Sequence, residues 1–267
     1  MTSMPKLMKL KDYVTITGTT LGILALICAT IGDRASLCIG FFFLTLTVAT
    51  DLMDGYIARK TNTVNELGIQ LDSLNDSLTF GIAPAVLTYQ AFKTNIFELN
   101  IILIIGCVCF SLGAVLRLAR FNISEEPGYE GVPTPLTGLM LICFFFGNFF
   151  WAYALGGPGQ AGMTEPFPFF SSLIISFLMI VVGWFNITTH IHFKEKDKFV
   201  YMLFICFAPA VPIFGIIGIT EPGFGLSMFA SIFFFVMLTI ELLYLIRGFF
   251  IDVPEETEKN TSATSAH

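Results

Sequence analysis

Two adjoining segments decide the fold, Asp51-Leu-Met-Asp-Gly-Tyr-Ile-Ala-Arg59 and Gly68-Ile-Gln-Leu-Asp-Ser-Leu-Asn-Asp76. Their four aspartates are spaced three apart in the first segment and four apart in the second. Residues at these spacings share one face of a helix, so two helices joined by the polar turn at 60–65 would present all four carboxylates to one another. Carboxylates in one pocket repel each other unless cations lie between them. The simplest arrangement is one or two hard divalent ions, which take oxygen ligands.

The rest of the chain has the composition of a membrane protein. Of its 267 residues, 55% are hydrophobic and only 13% are charged, and the mean hydropathy is +0.78. The charges cluster in short islands between long apolar runs, a pattern that indicates a polytopic membrane protein and excludes an ordinary soluble domain. The six cysteines lie inside apolar runs, so we interpret them as small apolar residues.

The lengths of the apolar runs predict an all-α membrane helix bundle of about eight transmembrane helices. A short basic stretch at residues 1–13 is expected to lie on the membrane surface as an interfacial segment. We assign residues 1–250 to one membrane domain and expect the acidic tail at 251–267 to be disordered. The predicted spans are 14–31, 35–60, 66–89, 100–120, 135–155, 169–187, 199–219 and 224–250.

The distribution of basic residues predicts the orientation of the bundle. An even number of spans places both termini on one side, and all of the 14 lysines and arginines except Arg34 and Lys93 would lie on that side. The positive-inside rule makes that side cytoplasmic. The aspartates lie at the same end of their spans, so we predict an integral protein of the cell (inner) membrane whose site faces the cytoplasm.

Small residues accompany the aspartates. An aspartate at the bilayer centre costs about 2.5 to 3.5 kcal/mol, so the four must face the bundle interior. Gly55, Ala58 and Gly68 fit this placement, because small residues let helices approach closely. They would also leave room for a flat ligand against the backbone.

The full spacing, D-x2-D-G-x2-A-R-x8-G-x3-D-x3-D, resembles the defining motif of the CDP-alcohol phosphatidyltransferase family, with every fixed position present. The resemblance implies that the ligand is the cytidine nucleotide of a CDP-linked lipid, whose diphosphate Arg59 contacts. It implies two ions of Mg²⁺ or Mn²⁺, held chiefly by Asp51, Asp54 and Asp72. The last motif aspartate, Asp76, is implied to be the general base and to share a metal.

Further stretches resemble the bacterial-type phosphatidylserine synthases of this family, at 72–85, at Leu116-Arg-Leu-Ala-Arg-Phe-Asn122 and at 131–135. This resemblance implies that the phosphatidyl group passes from CDP-diacylglycerol to L-serine, giving phosphatidylserine and CMP. Arg117 and Arg120, three apart on one helix face, would hold the serine carboxylate or a lipid phosphate, or would only set the topology.

The nucleotide pocket has three weaker candidates. The subfamily usually shows an asparagine where this chain has Thr17-Gly-Thr-Thr20, so the hydroxyls of Thr17 and Thr20 are candidates to replace that amide. Asn65, three residues before Gly68, is the other candidate.

Two alternatives remain open. Another member of the family would use glycerol 3-phosphate or an inositol phosphate, but such acceptors favour more basic groups than Arg117 and Arg120 provide. A divalent-cation transporter would also place acids inside a membrane bundle, although a cation path has no use for Arg59. The expected partners are CDP-diacylglycerol, L-serine and membrane lipids. A homodimer is a candidate assembly, and no nucleic acid is expected.

Overall fold

The computed structural model describes residues 7–61, 66–123, 129–130, 132–157, 159–188, 192–193, 210–220, 222–248 and 250. Helices account for nearly all of these residues. In chain order they are α1 (Leu10–Ile31), α2 (Arg34–Thr61), α3 (Glu66–Asp76), a π-helical segment (Ser77–Ile82), α4 (Ala83–Phe92), α5 (Phe97–Ile123), α6 (Thr134–Gly156), the short α7 (Gln160–Thr164), α8 (Phe169–Ile187), α9 (Ala210–Ile219) and α10 (Phe224–Gly248).

Two short strands join distant connections of the chain. Strand β1 (Tyr129–Glu130) lies between α5 and α6, and strand β2 (His192–Phe193) follows α8. They pair antiparallel, with Tyr129 opposite Phe193. The pairing holds the connection after α5 against the connection after α8.

The helices confirm the predicted class of an all-α polytopic membrane bundle. Six of them, α1, α2, α5, α6, α8 and α10, are long and apolar enough to cross a membrane. The predicted span 66–89 corresponds to α3, the π-helical segment and α4 in succession. Of the predicted span 199–219 the structure describes α9. Residues 1–6 of the expected interfacial segment and the tail at 251–267 lie outside the described residues, and Leu10–Tyr13 form the first turn of α1.

Helix α6 is the centre of the bundle, since nearly all of its side chains are buried. Phe145 of α6 stacks on Phe41 of α2 with ring centroids 4.0 Å apart. On another side of α6, Phe146 stacks on Phe234 of α10 at 5.2 Å. Lipid tails are as apolar as these rings, so close packing rather than removal from water favours the contacts. Helices α1, α5 and α10 present rows of exposed apolar side chains, as lipid-facing helices do.

Glycines set the closest helix contacts. A Cβ on Gly113 of α5 would overlap the carbonyl oxygen of Gly183 in α8, and a Cβ on Gly106 would lie 2.7 Å from the carbonyl oxygen of Ser176. On the other side of the bundle, a Cβ on Gly18 of α1 would lie 2.7 Å from the hydroxyl of Thr50 in α2. The approach at Gly18 brings α1 against α2, which carries Asp51 and Asp54.

The π-helical segment begins directly after Asp76. The N–H of Ala83 donates to the carbonyl of Leu78, five residues earlier, instead of four. Pro84 follows at the start of α4. Proline has no N–H to donate and its ring crowds the carbonyl four residues before it, so the wider turn accommodates it. The helix that carries Asp72 and Asp76 therefore changes its winding one residue after the last motif aspartate.

Candidate active site

Three motif carboxylates meet where α2 faces α3. The ligand oxygens of Asp51, Asp72 and Asp76 all lie within 4.8 Å of one another. Asp51 comes from α2, while Asp72 and Asp76 come from successive turns of α3, whose four-residue spacing places them on one face. Asp54 interacts electrostatically with Asp72 and Asp76. The fold therefore gathers all four motif aspartates in one region, with three of them in the closest cluster.

This donor set fits a divalent cation. The Oδ1 atom of Asp76 is buried and has no hydrogen-bond partner among the described residues. Three carboxylates this close repel one another unless a cation or protons offset their charge. Carboxylate oxygens are the ligands that Mg²⁺ and Mn²⁺ prefer. The cluster therefore has the chemistry to hold the ion that the sequence predicts.

Asp54 is held from α1. Its Oδ2 atom accepts a 2.7 Å hydrogen bond from the hydroxyl of Thr15, and both side chains are buried. One turn earlier, the nearly buried Lys11 interacts electrostatically with Asp54 and with Asp72. The first turns of α1 thus supply a hydroxyl and a positive charge to the aspartates of the other two helices.

Helix α1 also contacts α3 directly. The hydroxyl of Thr19 donates to the side-chain carbonyl of Asn75 at 3.0 Å. Sequence reasoning missed Lys11, Thr15 and Asn75 as parts of this region, whereas Thr19 lies in the stretch Thr17-Gly-Thr-Thr20 that it singled out. The available signal was the four-residue spacing of Lys11, Thr15 and Thr19, which puts them on one face of α1.

The two threonines that the sequence favours point elsewhere. The hydroxyls of Thr17 and Thr20 donate to the carbonyls of Tyr13 and Ile16 within α1 itself, and both side chains are exposed. Asn65 lies outside the described residues.

The remaining motif residues lie near the end of α2 and the start of α3. A Cβ on Gly55 would lie 3.4 Å from Nη1 of Arg59, so the guanidinium folds back over this glycine. Ala58 is half-buried, Arg59 is exposed and Gly68 of α3 is buried. Arg59 thus lies one helical turn after Gly55 and covers it with its guanidinium.

The two arginines of α5 have different surroundings. Arg117 is buried, its Nη1 lies 3.2 Å from the hydroxyl of Thr134, and it interacts electrostatically with Asp76. Nη1 of Arg120 donates to the carbonyl of Ile187 at the end of α8, at 3.0 Å. The structure therefore places Arg117 within electrostatic range of Asp76 and directs Arg120 to a neighbouring helix.

Four motif carboxylates lie between membrane helices, and three of them form a tight cluster with the chemistry for a divalent cation. The chain is therefore an integral membrane protein with a candidate metal site. The chain belongs to the CDP-alcohol phosphatidyltransferase family, whose model matches residues 8–193. This match includes every motif residue and confirms the family resemblance.

Several relatives of the chain carry names from this family. The chain is 37% identical over 144 residues to the CDP-diacylglycerol–serine O-phosphatidyltransferase of Methanocaldococcus jannaschii, a match that covers 54% of this chain and 64% of the relative. It is 31% identical over 145 residues to the archaetidylserine synthase of Methanothermobacter thermautotrophicus, covering 53% and 59%. Both matches span less than two thirds of the relative. The CDP-diacylglycerol–serine O-phosphatidyltransferase of Helicobacter pylori strain 26695 is 30% identical over 220 residues, covering 80% and 81%.

Proposed function

We propose that this protein transfers a phosphatidyl group from CDP-diacylglycerol to L-serine, giving phosphatidylserine and CMP. The observation that carries the proposal is the cluster of Asp51, Asp72 and Asp76 within 4.8 Å, formed by the motif of the family. Serine as the acceptor is supported by the names of two relatives, both CDP-diacylglycerol–serine O-phosphatidyltransferases.

The proposed reaction needs a base, charge neutralisation and a held acceptor. The serine hydroxyl attacks the lipid-side phosphorus, the bond from that phosphorus to the CMP oxygen breaks, and the hydroxyl proton passes to a base. Asp76 is this base in our proposal, since its Oδ1 makes no hydrogen bond among the described residues. Two Mg²⁺ or Mn²⁺ ions, when bound, would neutralise the diphosphate and stabilise the leaving oxygen.

The other residues would hold the substrates. Asp51, Asp54 and Asp72 would serve as the main metal ligands, and Asp76 would share a metal. Arg59 contacts the diphosphate, and Gly55, Ala58 and Gly68 leave room for the cytidine. Asn65, Thr17 and Thr20 stay predictions for the nucleotide pocket.

Arg117 is the residue that we assign to the acceptor. Arg117 is buried and interacts electrostatically with Asp76, and a guanidinium pairs well with a carboxylate such as that of serine. Placing the acceptor carboxylate there would put the serine hydroxyl near the proposed base.

The proposed site opens to the cytoplasm from the inner membrane. The motif lies at the end of α2 that carries Arg59 and Lys60, and basic residues favour the cytoplasmic side. A homodimer stays a prediction from the family resemblance.

The test is CMP release by purified protein from CDP-diacylglycerol with Mn²⁺ or Mg²⁺, adding one alcohol at a time. L-serine is expected to support release, and an Asp76→Asn variant is expected to give almost none. Release only with glycerol 3-phosphate or an inositol phosphate would overturn the acceptor. Absence of release with every alcohol would overturn the enzyme proposal and favour a cation transporter.

A second arm of this test addresses the lipid. One relative is named archaetidylserine synthase, so the CDP-linked donor is supplied both as a diacyl ester and as a diether. The proposal expects higher turnover with the diacyl donor. A preference for the diether donor would keep the chemistry at phosphorus and change the lipid substrate.

A further inference from the structure

We propose that Thr15 is a positioning residue of the metal site, because its hydroxyl fixes the carboxylate of Asp54. Helix α1 carries none of the motif aspartates, but it contributes to the metal site through this contact. The inference rests on one part of the proposed function, namely that the four aspartates bind divalent ions.

The hydrogen bond from Thr15 is short and shielded. It joins Oγ1 of Thr15 to Oδ2 of Asp54 over 2.7 Å, and the two residues are 3% and 6% exposed. The same hydroxyl lies 3.2 Å from the carbonyl oxygen of Lys11. The hydroxyl has a single proton, and a bond to a charged acceptor is stronger than one to a neutral carbonyl, so the proton is directed at Asp54.

Asp54 needs such a donor because it stands outside the close cluster. The cluster within 4.8 Å consists of Asp51, Asp72 and Asp76. A carboxylate with both oxygens free turns about its last torsion. Fixing Oδ2 to Thr15 stops this rotation and keeps Oδ1 available to a cation. Residues that orient a metal ligand in this way raise metal affinity without touching the metal.

The position of Thr15 is itself fixed by packing. Gly18, on the next turn of α1, lies against Thr50 of α2, where a Cβ would come within 2.7 Å of the threonine hydroxyl. Thr19 donates to Asn75 of α3 at 3.0 Å. Helix α1 is thus held in register with both helices that bear aspartates. The Thr15 hydroxyl is preorganised and does not have to find Asp54 when a metal binds.

Three variants separate positioning from simple packing. Thr15→Val removes the hydroxyl and keeps the shape, while Thr15→Ser keeps a hydroxyl. Thr30→Val is the matched control, because the Thr30 hydroxyl lies near the far end of α1, is exposed and donates to the carbonyl of Ile27 in its own helix. Binding of Mn²⁺ to each purified protein is measured without substrate, from the electron paramagnetic resonance signal of free Mn²⁺, and thermal unfolding is recorded in parallel.

The expected result is a loss of Mn²⁺ affinity specific to the missing hydroxyl. Thr15→Val should weaken Mn²⁺ binding by about tenfold or more, as for other residues that orient a metal ligand. Thr15→Ser should restore most of the affinity, and Thr30→Val should leave it unchanged. In turnover assays, Thr15→Val should raise the Mn²⁺ concentration needed for half-maximal CMP release while leaving the KM for CDP-diacylglycerol at saturating Mn²⁺ unchanged.

Other outcomes separate this inference from the proposed function. Unchanged Mn²⁺ affinity in Thr15→Val, with a lower melting temperature, would make the contact purely structural and overturn the inference alone. Equal losses in Thr15→Val and Thr15→Ser would also overturn the role of the hydroxyl. If the unmodified protein bound no Mn²⁺, the metal site of the proposed function would itself fail.

Discussion

Arg117 and Arg120 have the same side chain and lie three residues apart on α5, yet the structure gives them different neighbours. Arg117 is buried, donates to Thr134 and interacts electrostatically with Asp76, whereas Arg120 donates to the carbonyl of Ile187. Their spacing suggested one shared role in holding an acceptor or a phosphate. The surroundings favour Arg117 for the acceptor and Arg120 for joining α5 to α8.

Substituting each arginine by alanine tests this division. Arg117→Ala should raise the KM for L-serine by about tenfold or more, because a hydrogen bond to a charged group contributes roughly 1.5 to 3 kcal/mol. Arg120→Ala should leave that KM nearly unchanged and lower the melting temperature instead. Initial rates of CMP release at varied serine concentration give the KM of each variant, and thermal unfolding gives the melting temperatures. Equal increases in KM from the two variants would contradict the division.

Some residues of the site could be predicted from the sequence and others could not. Helical spacing placed the four aspartates together without knowledge of the fold. Whether Thr15 or Thr17 reaches the aspartates depends on which face of α1 meets α2. Apolar periodicity does not reveal this face, since lipid and bundle interior are equally apolar. Lys11 looked like an interfacial residue, but the structure nearly buries it beside Asp54 and Asp72.

At the scale of the helices, α5 packs closely against α8 because both helices have a glycine where they cross. The backbones at Gly113 and Gly183 touch, and a Cβ on Gly183 would lie 2.5 Å from the carbonyl oxygen of Cys109. Because this crossing positions the end of α5, it also positions Arg117. Close approach through small residues is a common way for membrane helices to associate.

Gly113→Ala should therefore destabilise the protein. Its methyl group would overlap the Gly183 carbonyl, and overpacking of this kind costs about 1 to 3 kcal/mol. Gly225→Ala is the matched control, because a Cβ at this helical glycine of α10 meets nothing within 4 Å. The control should be neutral or slightly stabilising. Thermal unfolding in detergent measures both, and equal melting temperatures for the two variants would refute the close crossing.

The start of α2 depends on a side-chain cap. Asp33 accepts hydrogen bonds from the backbone N–H and the hydroxyl of Ser36, at 2.9 and 2.7 Å. These bonds lower the pKa of Asp33, so the cap is ionised at neutral pH. A lowered pKa in the folded protein means that the stabilisation is present above the usual aspartate range and is lost as the pH falls through the folded value.

Asp33→Ala should lower the free energy of unfolding by about 1 kcal/mol, the usual effect of removing an N-terminal cap. Asp33→Asn should keep most of the stability at neutral pH, since the amide oxygen can accept the same backbone bond. Thermal unfolding at pH 7 compares the variants. A loss of stability as large in Asp33→Asn as in Asp33→Ala would show that charge, rather than capping, is what matters here.

The π-helical segment is a feature that the apolar length of a span does not predict. The apolar length of residues 66–89 predicted one regular helix, and the helical stretch is present, but its winding widens between Ser77 and Ile82. Pro84 was the cue, because proline interrupts regular helical hydrogen bonds. The sequence did not indicate whether the chain would respond with a kink, a break or a wider turn. Thr79 and Phe80, which lie inside this segment, are both buried in the bundle.

At the scale of the whole molecule, the sequence predicted the lengths of the helices far better than their arrangement. Bilayer thickness fixes how long an apolar helix must be, so the bounds of the spans followed from composition. Which helices pack against each other depends on the shapes of their side chains. The central place of α6 comes from the fit of Phe41, Phe145 and Phe146 against one another. All of the spans are apolar, so nothing in their composition marks α6 as the buried one.

The orientation of the whole bundle can be tested with one exposed residue from each end. Lys60 lies at the end of α2 and Lys93 follows α4, so the stretch from α3 to α4 separates them. The positive-inside rule predicts that Lys60 is cytoplasmic and Lys93 is outside. With the native cysteines replaced by alanine, a membrane-impermeant maleimide should label Lys93→Cys in intact cells and Lys60→Cys only in opened cells. Labelling of Lys60→Cys in intact cells would contradict a cytoplasmic site, because Asp54 lies on the same helix within two turns of that residue.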